Sequence, residues 1–224
     1  MSDKALVARH AARQIENGML VGLGTGSTAD LFIEALAERR REEGLEITTV
    51  ASSPISAIKA AALELPQIAV EQVSRLDVYV DGADEVAPDL TLLKGRGQDL
   101  VREKLLARAA DRFWVLIDTS KQVSHLGERF PIPVEVWPFA WRAVQVQIGA
   151  LGGQAELRRN DAGVAITSAG GMVLDCRFDP QITPDVLDAL LSELPGTLEH
   201  GIFHQLATTV LVAQNGQVTE LHPT

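Results

Sequence analysis

Cysteine is almost absent: Cys176 stands alone among 224 residues. A single thiol closes no internal disulfide, which fits a reducing compartment, and its plainest reading is a small buried hydrophobe. No apolar run approaches the roughly 18 residues a membrane helix needs, and no secretory leader is visible. Basic side chains are the minority, 20 Lys and Arg against 30 Asp and Glu, for a formal net charge of −10. That balance argues against nucleic acid and anionic membranes as partners. It leaves room for a small phosphorylated substrate, which needs only a nest of N–H groups and one or two cations. The histidines (His10, His125, His200, His204, His222) are scattered. His200 and His204 have a four-residue spacing but no third ligand, so no metal site is expected. With 46% apolar residues the chain can bury a proper core, and a soluble cytoplasmic protein is expected. There is no internal repeat and no low-complexity tract.

The stretch that organises the chain is 76–104, LDVYVDGADEVAPDLTLLKGRGQDLVREK. Residues 76–80 alternate and are rich in β-formers, so they read as a buried strand. The strand ends in Asp81-Gly82-Ala83-Asp84-Glu85, and open α/β sheets place ligands at the carboxyl ends of their strands. Lys94, Gly95 and Gly97 follow, then a helix over 99–110 carrying Arg102-Glu103-Lys104. That helix is expected to bury Val101, Leu105, Leu106 and Ala109, with Glu103 on the shoulder and Lys104 and Arg108 in water.

Earlier in the chain, Ser2 can cap a helix over 3–16. A strand at 19–23 runs into Gly22-Leu23-Gly24-Thr25-Gly26-Ser27-Thr28, and a helix follows to Glu43, stopped by Gly44. Strand, glycine-rich turn and helix N-terminus together can cradle an anion. The spacing is not the dinucleotide fingerprint, and no lysine makes it a P-loop. It suits a sugar phosphate, or it is a structural tight turn. Further strands are expected at 47–51, 68–70, 90–93 and 113–117, with a helix over 54–63 that Ser52 or Ser53 can cap and Pro54 can open. Alternating strands and helices predict a doubly wound parallel sheet. From about residue 130 the order becomes β-α-β-β-α-β: strands 131–136, 154–158, 172–178 and 197–203, helices 138–150 and 183–194. This is the ferredoxin-like pattern. A hairpin over 208–221 closes the chain. The expected architecture is α/β, a Rossmann-like domain of 1–129 and 205–224 with a small ferredoxin-like α+β domain of 130–204 inserted.

Interconverting an aldose and a ketose phosphate moves one proton between adjacent carbons through an enediolate. The site needs a base, a partner for the oxygens, a cation against the oxyanion and a phosphate nest. Glu103 at an apolar helix shoulder suits the base, because desolvation raises a carboxylate's pKa. Asp81 and Asp84 suit oxygen proton handling, Lys94 the oxyanion, and Thr25, Gly26, Ser27, Thr28 and Lys121 the phosphate. Each also has a bland reading: a solvated turn for 81–84, helix-surface charge for Glu103, an exposed lysine for Lys121.

Taken together, Gly24-Thr25-Gly26-Ser27-Thr28, Ser52-Ser53, Asp81-Gly82-Ala83-Asp84-Glu85, Lys94-Gly95 with Gly97, Arg102-Glu103-Lys104 and Ser120-Lys121-Gln122 resemble the ribose-5-phosphate isomerase family of type A, the metal-independent kind. PIPVE at 131–135 and the Leu151-Gly152-Gly153 stop fit too. The resemblance implies interconversion of D-ribose 5-phosphate and D-ribulose 5-phosphate without metal or organic cofactor. It implies Glu103 as the base shuttling the proton. It implies Asp81, Asp84 and Lys94 for the oxygens and ring opening. Substrate is then held by Thr25 to Thr28, Asp81, Gly82, Ala83 and Asp84, Lys94, Gly95, Arg96 and Gly97, and Lys121, with Lys4 adding positive charge. It also implies a homodimer or homotetramer. Arg96 departs from the three glycines common after the lysine; it either adds a charge near the anion or points to solvent. Gln98-Asp99 also replaces the small residues expected there. Two rival readings are weighed. A sugar-phosphate sensor would need a basic helix-turn-helix segment, and none is visible. A coenzyme A transferase or amino-sugar-phosphate deaminase on a related scaffold would betray itself in its cosubstrate; a transferase also needs a nucleophilic carboxylate and normally a longer chain.

Overall fold

The computed structural model describes residues 2–97 and 99–223. Gln98, one of the departures noted above, lies outside them. In chain order the regular elements are α1 (Asp3–Arg13), β1 (Leu20–Leu23), α2 (Ser27–Glu43), β2 (Thr48–Ala51), α3 (Pro54–Ala62), β3 (Val78–Asp81), β4 (Glu85–Val86), β5 (Leu92–Leu93), α4 (Leu100–Ala109) and β6 (Phe113–Asp118). Then come β7 (Ile132–Val136), α5 (Trp141–Ala150), β8 (Gln154–Leu157), β9 (Arg159–Asn160), β10 (Gly163–Val164), β11 (Met172–Arg177), α6 (Pro184–Ser192), β12 (Thr197–His200), β13 (Ile202–Phe203), β14 (Thr209–Gln214) and β15 (Gln217–Leu221).

The chain forms two compact units. The first holds 1–83, 102–121 and 206–224; the second holds 84–101 and 122–205. Segments 84–101 and 122–129, expected with the large domain, therefore group with the second unit. The physical reason is strand pairing: β4 and β5 join β13 in a three-stranded sheet, and Val86 bridges to Gln122.

In the first unit a six-stranded sheet runs β15-β14-β6-β3-β1-β2. Every neighbouring pair is parallel except the closing hairpin of β14 and β15. The sheet is thus mixed, with the expected parallel core. Val7, Ala8 and Ala11 of α1, Phe32, Ile33 and Leu36 of α2, and Val78 and Val80 of β3 share one core. Period-two alternation then turns Tyr79 and Asp81 to the opposite face. Ser2 caps α1 by accepting from the Ala5 N–H, and left-handed Gly44 ends α2 as expected. The strand expected at 68–70 is instead a 3-10 turn, Val70–Gln72.

In the second unit a wholly antiparallel sheet runs β12-β7-β11-β8. Val144 and Ile148 of α5 and Leu187 and Leu191 of α6 pack into its core with Val134, Leu174 and Cys176. Cys176 is fully buried, and burial pushes its thiol pKa far up, so it is inert packing. The strand expected over 197–203 breaks at Gly201 into β12 and β13, which serve different sheets. His200 and His204 are accordingly not on one strand face. His200 meets the Ser192 hydroxyl at 3.0 Å and His204 the Thr91 hydroxyl at 3.0 Å. Among the described residues no group of three or more His, Cys, Asp or Glu is placed to hold a metal ion. Among the same residues no helix is long and apolar enough to cross a membrane.

Candidate active site

Within the first unit the glycine-rich loop is fastened at Thr25. Its N–H donates to Asp81 Oδ1 at 3.0 Å. Its hydroxyl sits among three serines, 2.7 Å from Ser53 Oγ, 3.1 Å from Ser56 and 3.2 Å from Ser52. Ser56 in turn donates to the Gly24 carbonyl at 2.6 Å, and Ser53 caps α3. Thr25 is thus turned into a buried hydroxyl cluster, which makes it a loop anchor. Gly24 has to be glycine, because a Cβ there would lie 2.1 Å from Asp81 Oδ1.

Beyond Thr25 the loop opens to solvent at Gly26 and Ser27, where α2 begins without a side-chain cap. The Lys4 ammonium donates to Ser27 Oγ at 2.9 Å. Asp118, at the end of β6, lies close to Lys4 and Lys121. Its burial favours the neutral acid, but bonds from Ser120 and the charges of Lys4 and Lys121 outweigh that and hold its carboxyl below the usual range. Lys4, Ser27, Asp118 and Lys121 therefore belong to one neighbourhood. The Lys4 cation beside an uncapped helix N-terminus, with Lys121 near Asp118, suits an anion. Asp118 was not singled out in the sequence. Its position at the carboxyl edge of a parallel strand was the available signal.

Asp81 is fully buried. Besides Thr25, it accepts from the Gly82 N–H at 2.7 Å and, on Oδ2, from the Tyr79 hydroxyl at 2.5 Å. Glu103, on α4, is 4% exposed. Burial raises the Tyr79 pKa well above its usual value; the charges of Asp81 and then Glu103 push it further, and a bond with Ser52 opposes them. Both carboxylates thus bear on one phenol. The expected outward face of α4 is corrected: Lys104 is 1% exposed, whereas Leu105, expected in the core, is 52% exposed. The buried arc is Leu100, Glu103, Lys104, Leu106 and Ala107. A hydrophobicity pattern cannot find an arc that carries two charges.

In the second unit, Asp84 is partly exposed, its N–H bonded to the Leu93 carbonyl, and its Oδ2 faces the Arg96 N–H at 3.3 Å. Glu85 is structural, its carboxylate accepting from the N–H groups of Gly127, Arg129 and Phe130. Lys94 is 4% exposed, its backbone N–H on the Gly201 carbonyl and its ammonium 5.7 Å from the centroid of Phe203. Gly95 takes the left-handed region at φ 101°, and its carbonyl accepts from Arg158 at 2.9 Å. Arg96 is not among the positive-φ residues, so its departure from glycine carries no backbone strain. Its guanidinium stacks 4.0 Å over the ring centroid of Phe130. Gly97 is exposed, and Gly82 and Ala83 are half-buried.

The family model for ribose 5-phosphate isomerase A (phosphoriboisomerase A) matches residues 48–217. The ribose-5-phosphate isomerase A of Gloeobacter violaceus is 41% identical over 221 residues, covering 98% of this chain and 96% of that protein. The solved ribose 5-phosphate isomerase A of Methanocaldococcus jannaschii superposes with a TM-score of 0.93 at 38% identity, covering 98% of each chain. A D-ribose-5-phosphate isomerase solved in complex with phospho-erythronic acid superposes with a TM-score of 0.94 at 37% identity, covering 98% of this chain and 97% of that one. A match of this depth across nearly the whole length settles kinship: the chain belongs to the ribose-5-phosphate isomerase A family.

Proposed function

We propose that Glu103 is the base that carries the proton between C1 and C2 of the sugar. The overall reaction is the family's: this protein is an aldose–ketose isomerase interconverting D-ribose 5-phosphate and D-ribulose 5-phosphate in the pentose phosphate pathway. The observation that carries the assignment is the burial of Glu103, 4% exposed, with its charge bearing on the same Tyr79 hydroxyl that Asp81 accepts. A carboxylate sheltered from water suits carbon acid chemistry.

In this reading the phosphate sits at the open part of the loop, Gly26, Ser27 and Thr28, with Lys4 and Lys121. Asp84 and the Lys94 ammonium attend the sugar oxygens, moving the hydroxyl proton for ring opening and facing the enediolate charge. The 94–97 loop and residues 82–83 are assigned to substrate binding in the same reading. Asp81 was expected to share the oxygen chemistry. With Thr25, Gly82 and Tyr79 already on its oxygens, we give it the narrower task of holding the phosphate loop. Phospho-erythronic acid, seen with a relative, is a phosphorylated sugar acid and suits this chain as an inhibitor probe. Replacing Glu103 by Gln should lower kcat by roughly 10²–10⁴-fold with little change in KM. Wild-type turnover in that variant removes Glu103 from the role.

We also infer that the first unit is Rossmann-like and the second ferredoxin-like. The run of parallel strands supports the former, and the order β12-β7-β11-β8 with α5 and α6 as its two crossovers supports the latter. A cytoplasmic homodimer or homotetramer completes the proposal. Phe139, 87% exposed and stacked with Trp137, is apolar surface that a second copy would cover. Light scattering at the mass of a single chain would contradict the oligomer.

A further inference from the structure

Tyr79 is the only tyrosine in the chain, and the reaction outlined above gives it no task. It is fully buried, yet it is not simply a core aromatic. Its ring stacks on Phe113 with centroids 5.0 Å apart. On the neighbouring strand stands Gly22, where a Cβ would come within 2.7 Å of the Tyr79 ring. The ring is therefore seated by close steric fit, and the seat aims its hydroxyl at Asp81 Oδ2, 2.5 Å away. The other oxygen of Asp81 takes the Thr25 and Gly82 N–H groups. Three donors from three directions leave this carboxylate a single orientation. Burial and the neighbouring carboxylate charges keep the phenol protonated at any working pH, so Tyr79 always donates and Asp81 always accepts.

We propose that Tyr79 is a positioning residue for substrate binding: through Asp81 it fixes the Thr25 backbone, and so sets the geometry of the 24–28 loop that receives the phosphate. A phenylalanine here would keep the ring, the stack and the fit against Gly22, and would lose the hydroxyl with its bonds to Asp81 and Ser52. Asp81 would then keep its two N–H partners without the hydroxyl that fixes its plane. The loop would keep the serine cluster and a less firmly oriented Asp81, and its exposed N–H groups would sample poorer geometry for an anion. The proposal rests on the reading of the loop as the phosphate seat.

The test is Tyr79→Phe, assayed for kcat, for KM with D-ribose 5-phosphate, and for competitive inhibition by inorganic phosphate. Losing one hydrogen bond to a charged group corresponds to roughly tenfold. We expect KM and the phosphate inhibition constant both to rise by about that factor, while kcat stays within about threefold. A merely structural role would change the melting temperature without this split. Adding Tyr79→Phe to Asp81→Asn should raise the phosphate constant little further, because the tyrosine acts through the aspartate. Ser27→Ala, on the open part of the loop, separates the two levels of the reading. If it alone weakens phosphate inhibition and Tyr79→Phe does not, the role of Tyr79 is overturned. If neither does, the loop is not the phosphate seat.

Discussion

Arg96 shows how one side chain resolves a question the sequence left open. From the sequence, an arginine at this glycine-rich position either adds a charge near the anion or points to solvent. The left-handed turn is taken entirely by Gly95, and Arg96 lies flat on Phe130, 4.0 Å from the ring centroid. Its contribution is to stiffen the loop whose N–H faces Asp84. Arg96→Gly should therefore lower stability by about 1–2 kcal/mol, the sum of a surface cation–π contact and the added freedom of glycine. Turnover should survive, since Gly95 takes the left-handed turn and Arg96 carries no positive φ. Urea unfolding beside steady-state kinetics checks both halves; an unchanged unfolding midpoint would mean that the stack contributes nothing. The residues that sequence reasoning overlooked, Tyr79, Ser56 and Asp118, share a feature. Ser56 and Asp118 act on Thr25 and Lys4 from distant parts of the chain, and Tyr79 on Asp81 through a buried hydroxyl, so no motif spacing marks them.

Among the elements, strand-end motifs were legible and polar burial was not. The loop after β1, the acidic turn after β3 and the Ser120-Lys121 segment after β6 all follow carboxyl ends of parallel strands, because that topology opens there. The caps at Ser2, Ser53 and Gly44 were also readable, since each rests on local backbone chemistry. Helix α4 was misread by its own apolar residues. Its inward arc carries Glu103 and Lys104, while Leu105 faces out. Functional helices break the hydrophobic rule where they hold chemistry. The corrected phase has a direct consequence in chemical denaturation. Leu106→Ala should cost about 2–5 kcal/mol and Leu105→Ala under about 1 kcal/mol. Equal losses would contradict the phase. The short hairpin of β9 and β10 was also missed, being two residues on each side and too brief for any period to register.

For the whole molecule, the α/β fold class followed from alternation, but the grouping of segments into compact units did not. Residues 84–101 read as a continuation of the first unit in the chain, yet β5 pairs with β13, more than a hundred residues later, and β4 pairs with β5. Only tertiary pairing decides that. The second unit also contains a carboxylate that works against stability at neutral pH. Glu135 is fully buried; desolvation raises its pKa above 4.5, a bond from Thr167 opposes this, and the charges of Asp99 and Glu199 add to it. A folded pKa above the unfolded one means stability that is complete below about 4.5 and lost as pH rises through the folded value. Glu135→Gln, which does not titrate and can still accept from Thr167, should therefore gain on the wild type between pH 4 and pH 8. Thermal melts across that range would show a growing difference in Tm; a constant one would contradict the sign.

Glu103 is answerable to isotope transfer more directly than to any rate. With D-ribose 5-phosphate turned over in heavy water, the wild type should place solvent deuterium on the carbon that receives the proton, because a carboxylate holding that proton exchanges it during the life of the enediolate. The Glu103→Gln protein, still able to bind substrate, should incorporate none above background. Deuterium entering at the wild-type rate in that variant, read by mass spectrometry of the recovered sugar phosphate, would place the base elsewhere in the molecule.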